Sequence, residues 1–126
     1  MKLGELFAEV DELKPSQFDD SVKVKWLNEV EGRIIKEVIA AREEDASMEG
    51  YAFNGYTNET PIDTELVVKE PYAALYRYYL FSMIDLGNEE YDRYQNSAAL
   101  FNQAYADFAN YWYRTHKTAG VKRFIH

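Results

Sequence analysis

"DRYQNSAALFNQAYADFANYWYRTH", residues 92–116, decides the fold of this chain. Counting from Tyr91, its packing positions fall at Tyr91, Tyr94, Ala98, Phe101, Tyr105, Phe108 and Trp112, at intervals of 3, 4, 3, 4, 3 and 4. That repeat marks a seam along one side of a long helix, laid at a shallow angle against a second helix. From Asn88 to Thr115 such a helix would run about 40 Å at ~1.5 Å per residue. The rings are therefore expected to form core. Tyrosine suits a thin bundle because its ring buries while its hydroxyl can reach the wet edge. Tyr111 and Tyr113 lie off the repeat and are the better candidates on this helix for an outside contact.

Immediately upstream, "PYAALYRYYLFSMIDL" (71–86) is apolar almost all round, with Arg77 and Asp85 its only charges. Such a pattern predicts a central helix covered on most sides. Pro71 suits the first helical position, where its missing N–H needs no intrahelical partner. Gly87 is a good stop, Asn88 a good N-cap, and Glu89 and Glu90 would meet the positive end of the next helix. "LGN" (86–88) is then a tight corner between two antiparallel helices. Nearer the start, Leu3, Leu6, Phe7, Val10 and Leu13 repeat at helical spacing until Pro15 ends the run at about Lys14. Asp19 or Asp20 can cap the helix that follows. Its apolar face carries Val22, Trp26, Leu27, Val30, Ile34, Val38 and Ile39, while Lys23, Lys25, Glu29, Glu31 and Lys36 take most of the rest. The expected helices are 3–13, 19–42, 71–86 and 88–116. Together they give an all-α fold: a small four-helix assembly in one domain, 1–116, with a long antiparallel C-terminal helical hairpin.

Between helices 2 and 3 the period is lost, and residues 43–69 read as a long irregular loop. Gly50, Asn54-Gly55 and Pro61 supply turn chemistry. Asn-Gly between Tyr51–Phe53 and Tyr56–Thr57 is a hairpin signal, and "TELVV" (64–68) could add one short β segment. A connection this long in a compact domain is usually functional or poorly ordered, so residues 45–64 are expected to make few buried contacts. Tyr51, Phe53 and Tyr56 either fold back onto the helices or dock on a neighbour. Residues 117–126 form a basic tail.

The 126 residues are 47% hydrophobic and 16% aromatic, a composition that folds without metal or disulfide. There is no cysteine, which suits a reducing compartment and removes thiolate nucleophiles and thiolate zinc sites. The acid-studded opening "MKLGELFAEVDEL" lacks the apolar stretch of a signal peptide, and no run approaches the ~20 residues of a membrane span. A soluble intracellular protein with no membrane contact is expected.

The net charge of −8 argues against specific nucleic-acid binding. Residues 1–65 carry 7 Lys+Arg against 16 Asp+Glu, a balance of −9; residues 66–126 carry 7 against 6, a balance of +1. After Asp107 only Arg114, Lys117, Lys122 and Arg123 remain. Helix-dipole chemistry accounts for the first two, but Lys122 and Arg123 lie beyond the helix and are candidates for contact with an acidic partner. Catalytic signatures are missing. His116 and His126 have no second ligand at helical spacing, no Glu-x-x-His pair faces inward, and there is no phosphate-cradling glycine loop or nucleophile elbow. The carboxylates of "REED" (42–45) fit a solvated helix end. The expectation is a non-enzyme with no cofactor, no metal and no small-molecule substrate.

The stretch 71–116, and upstream "DELKPSQFDDSVKVKWLNEVEGRI" (11–34), resemble a family of small proteins from the structural gene clusters of tailed bacteriophages and prophages of Firmicutes. That family is similar to the head–tail connector (adaptor) proteins beneath the portal of long-tailed phages. The resemblance covers 70 of the 126 residues, in order, and rests on helix-packing residues; residues 45–64 lie outside it. It implies helical subunits that self-associate into a ring on assembly, extend the DNA channel, and meet the portal protein and neighbouring connector or tail proteins. It also implies a location in the bacterial host cytoplasm during assembly and then at the head–tail junction of the virion. The residues alone leave open a different class, a small intracellular helical protein-binding module with a regulatory role.

Overall fold

The structure, a computed structural model, describes residues 1–40 and 53–116. Four helices dominate it: α1 (Leu3–Leu13), α2 (Asp20–Ile34), α3 (Ala74–Gly87) and α4 (Tyr91–Thr115). The all-α expectation holds. The described residues form no strand; the "TELVV" segment contributes one isolated antiparallel bridge, Lys2 with Glu65. The short β segment expected there is thus reduced to a single rung.

Cross-helix pairs set the directions. Asp85 meets Ser97, Tyr79 packs on Phe101, and Tyr72 packs on Phe108, each pair farther from the corner than the last. The C-terminal hairpin is therefore antiparallel. Glu31 bonds Tyr76 and Glu29 bonds Tyr79, so α2 runs against α3. Glu9 bonds Arg77 and Lys14 bonds Asp85, so α1 runs with α3. The helices alternate up, down, up, down.

Helix ends follow local chemistry, with several departures from the sequence reading. The Asp19 carboxylate accepts from the Val22 N–H at 3.3 Å, capping α2 as expected. The second helix does not continue as regular α-helix to 42. Ile35–Ile39 forms a π turn, closed by the Ala40 N–H on the Ile35 carbonyl, and residues 41 and 42 lie outside the described part. The wider turn slips the helical register, so that Ile34, Val38 and Ile39 are all buried. Pro71 is not the first residue of the third helix. It follows a cis peptide bond, and the helix begins three residues later at Ala74. Asn88 is not the N-cap of α4 either: it closes α3, donating its N–H to the Ile84 carbonyl at 3.0 Å. Glu89 takes the left-handed conformation (φ 59°), and Glu90 stands before α4. A Cβ at Gly87 would come within 2.6 Å of the Phe18 ring, so any larger residue there would have to move that ring.

The core runs through all four helices, from Leu6, Val10, Leu27, Val30 and Ile34 to Leu75, Leu80, Ile84, Phe101 and Phe108. The α4 seam is shorter than its repeat. Tyr91 is 59% exposed, and Ser97 is buried in the seam because its hydroxyl donates to Asp85 at 2.7 Å. Asp85 also receives Lys14 Nζ at 2.7 and 2.8 Å, so one buried carboxylate joins α1, α3 and α4. Lys23 and Glu31, expected on the polar face of α2, are both buried. Lys23 pairs with Asp11 of α1.

None of residues 53–64 is fully buried, in keeping with the few buried contacts expected, yet hydrogen bonds tie the segment to α1 and α2. The Leu3 and Gly4 N–H groups donate to the Thr64 and Ile62 carbonyls at 2.9 and 2.8 Å. The side chain of Asn28 brackets the Tyr56 backbone, accepting from its N–H at 2.7 Å and donating to its carbonyl at 3.0 Å.

Candidate contact surfaces

Two polar clasps shape the surface. The first centres on Glu31, a buried residue of α2 that faces α3 and the connecting segment. Its Oε1 accepts from the Tyr76 hydroxyl at 2.6 Å; Oε2 accepts from the Tyr56 hydroxyl at 2.8 Å and the Val67 N–H at 3.2 Å. The Tyr76 oxygen accepts in turn from the Val68 N–H at 2.8 Å. Burial pushes the Glu31 carboxyl above its ordinary value, and the three donors oppose that shift only in part. Burial and the adjoining carboxylate push both phenols up as well. Both hydroxyls therefore stay protonated and act as donors, and the arrangement pins residues 56–68 onto the bundle.

The second clasp ties α2 to α4. Glu37 accepts from Arg33 Nε and from the Tyr105 hydroxyl, both at 2.9 Å, and the Arg33 guanidinium lies 4.4 Å from the Tyr105 ring centroid. Arg33 and Tyr105 hold the Glu37 carboxyl below its ordinary value. Beside it, burial and Glu29 push the Tyr79 phenol up to about 12.

These clasps reassign several candidate contact residues. Tyr56 folds back onto the helices, half-buried, with Phe53 set edge-on against it at 5.1 Å. Tyr51, Lys122 and Arg123 lie outside the described residues, as does part of the proposed Asn-Gly hairpin. Tyr113 is not a free platform: its hydroxyl donates to the Glu37 carbonyl at 3.2 Å, and its ring packs on the core. Tyr111 is half-buried and stacks on Tyr72, with centroids 4.6 Å apart. Of the seven candidates, Tyr111 lines a groove.

That groove, about 300 Å³, lies between residues 67–72 and the end of α4. Tyr72, Phe108, Tyr111 and Trp112 wall it, and Lys69 and Arg114 stand at its rim. A second hollow, about 310 Å³, opens between α1, the start of α2 and residues 57–62. Its edge residue Ile62 is 75% exposed. Neither hollow is lined by Glu31 or Glu37. The sequence reading missed Glu31, Lys69, Tyr72 and Ile62. Two of these carried a signal: Glu31 sits four residues after Leu27 and three before Ile34, on the apolar stripe, and Ile62 is a lone aliphatic in a polar turn.

Among the described residues no His, Asp or Glu group of three or more is arranged to hold a metal ion. No described helix is long and apolar enough to cross a membrane. The chain matches no protein-family model, no curated protein and no solved structure.

Proposed function

We propose that this chain is a head–tail connector subunit of a tailed bacteriophage or prophage. In this reading it is a non-enzymatic structural protein. It forms a ring under the portal, extends the DNA channel, and docks further connector or tail proteins. The observation that carries the reading is the resemblance of residues 11–34 and 71–116 to that family. Those two stretches supply α2, α3 and α4. The acidic balance of residues 1–65 supports it too, because carboxylates facing a channel repel passing phosphates.

Recruitment tests the proposal. Purified portal rings of the matching phage, mixed with the chain and imaged by electron microscopy, should carry it as a closed ring of many copies. Portal rings that stay bare would overturn the connector assignment and leave the regulatory binding module, whose partner would then be sought at the Tyr111 groove.

A further inference from the structure

Two features of the surface are complementary to each other. The first is a knob. Residues 59–65, "ETPIDTE", form a turn in which Ile62 is 75% exposed and Glu59, Asp63 and Glu65 are exposed around it. Internal bonds brace the turn: Glu59 N–H to Thr57 Oγ1 at 3.1 Å and Thr64 N–H to the Pro61 carbonyl at 3.1 Å. The Gly4 N–H, donating to the Ile62 carbonyl at 2.8 Å, anchors it to α1. A Cβ on Gly4 would lie 2.9 Å from the Ile62 Cβ, so glycine is what lets the turn sit so close. An aliphatic side chain is thus held out to water on a rigid, acidic mount.

The second feature is the groove at the end of α4. Its aromatic walls leave about 300 Å³, ample for a branched aliphatic side chain. Arg114 at the rim is exposed and makes no ion pair among the described residues. Lys69 is also exposed, 3.7 Å from its own chain's Glu65. Glu70 is the one carboxylate on the lining. In a chain of net charge −8, a hole with two cations at its rim calls for an acidic occupant with an apolar tip.

We infer that the Ile62 turn of one copy docks in the Tyr72–Tyr111–Trp112 groove of a second copy, with Asp63 and its neighbours facing Lys69 and Arg114. Knob and groove share no residue, so the contact is heterologous. The copy that gives its knob still presents its groove, and the copy that gives its groove still presents its knob, so repetition closes a ring or extends a chain. Preorganisation by Gly4 and the braced turn removes the ordering cost that would otherwise weaken so small a contact. The inference deepens the connector reading and rests on it only for the place of the contact in a ring.

The chain has no cysteine, which permits a clean test by directed cross-linking. One preparation carries Pro61→Cys, beside the knob; the other carries Glu70→Cys, at the groove. Both positions are exposed, so neither change touches the core. Mixed under mild oxidation, the two should form a disulfide-linked heterodimer severalfold faster than Pro61→Cys with Asn102→Cys, an exposed site midway along α4. The advantage should fall as salt rises from about 0.1 M to about 1 M, because exposed charges are then screened within ~3 Å. It should vanish when Ile62→Asp is added to the first preparation, and shrink with Gly4→Ala. Cross-linking no faster than the Asn102→Cys control, or an advantage that survives Ile62→Asp, would overturn the inference. The measurement needs no portal, so its failure and the failure of the connector assignment are separate results.

Discussion

Glu31 is a buried carboxylate held by neutral donors, two phenols and one backbone N–H, with no cation bonded to it among the described residues. Tyr76→Phe would remove the donor to Oε1 and the acceptor for the Val68 N–H together. Leaving buried groups unsatisfied costs about 1–3 kcal/mol, and urea denaturation should show a loss of that size. The pH dependence has a definite sign. The folded-state value of Glu31 is raised above its ordinary 4.5, so the native state holds that proton more tightly than the unfolded chain. Its contribution to stability is full below 4.5 and is lost as pH rises through the raised folded value. Glu31→Gln abolishes the titration. The stability of the wild type relative to that variant should therefore decline across this window, and two parallel stability-against-pH curves would contradict the assignment.

At the scale of the helices, the seam between α3 and α4 is carried by few residues. Phe101 is 4% exposed and packs on Tyr79 and Tyr105. Phe101→Ala should cost roughly 3–5 kcal/mol, as aromatic truncations in packed cores do. Tyr113→Ala should cost less than half as much, because that ring is only half-buried and its hydroxyl bond to Glu37 is long. Equal thermal shifts would place the seam on the wrong face. Asp85 is the joint between α1 and the hairpin. Asp85→Ala would strand Ser97 and part-exposed Lys14 at once. It should cost about 3 kcal/mol, the lower end of what losing one member of a buried pair costs, and Asp85→Asn less.

For the whole molecule, the uneven charge is the property most open to test. Under the connector proposal the basic tail contributes to recruitment. Deleting 118–126 should weaken binding to portal rings while the circular dichroism of the helices stays close to wild type, since all four helices end before residue 118. Charge reversal at Lys122 and Arg123 should weaken recruitment more at low salt than at high salt. Unchanged recruitment in both cases would take the tail out of the interface.

The number of helices, their order and the hairpin were legible in the sequence because they rest on local rules. Pro15 stops α1, Asp19 caps α2, and a repeat of 3 and 4 writes the α4 seam. Tertiary structure decided the rest. Nothing local marks the π turn at Ile35–Ile39, which keeps Ile34, Val38 and Ile39 buried together against neighbours the sequence does not name. Local signals even misled at Pro71, where α3 begins three residues later at Ala74, and at Asn88, which closes α3 and does not open α4. The contact surface was the least legible part. Whether Tyr56 points in or out depends on Glu31, 25 positions away, and the groove beside Tyr111 exists only because residues 67–72 cross the end of α4. Helical period reports which side of one helix is apolar; only the fold reports what lies opposite it.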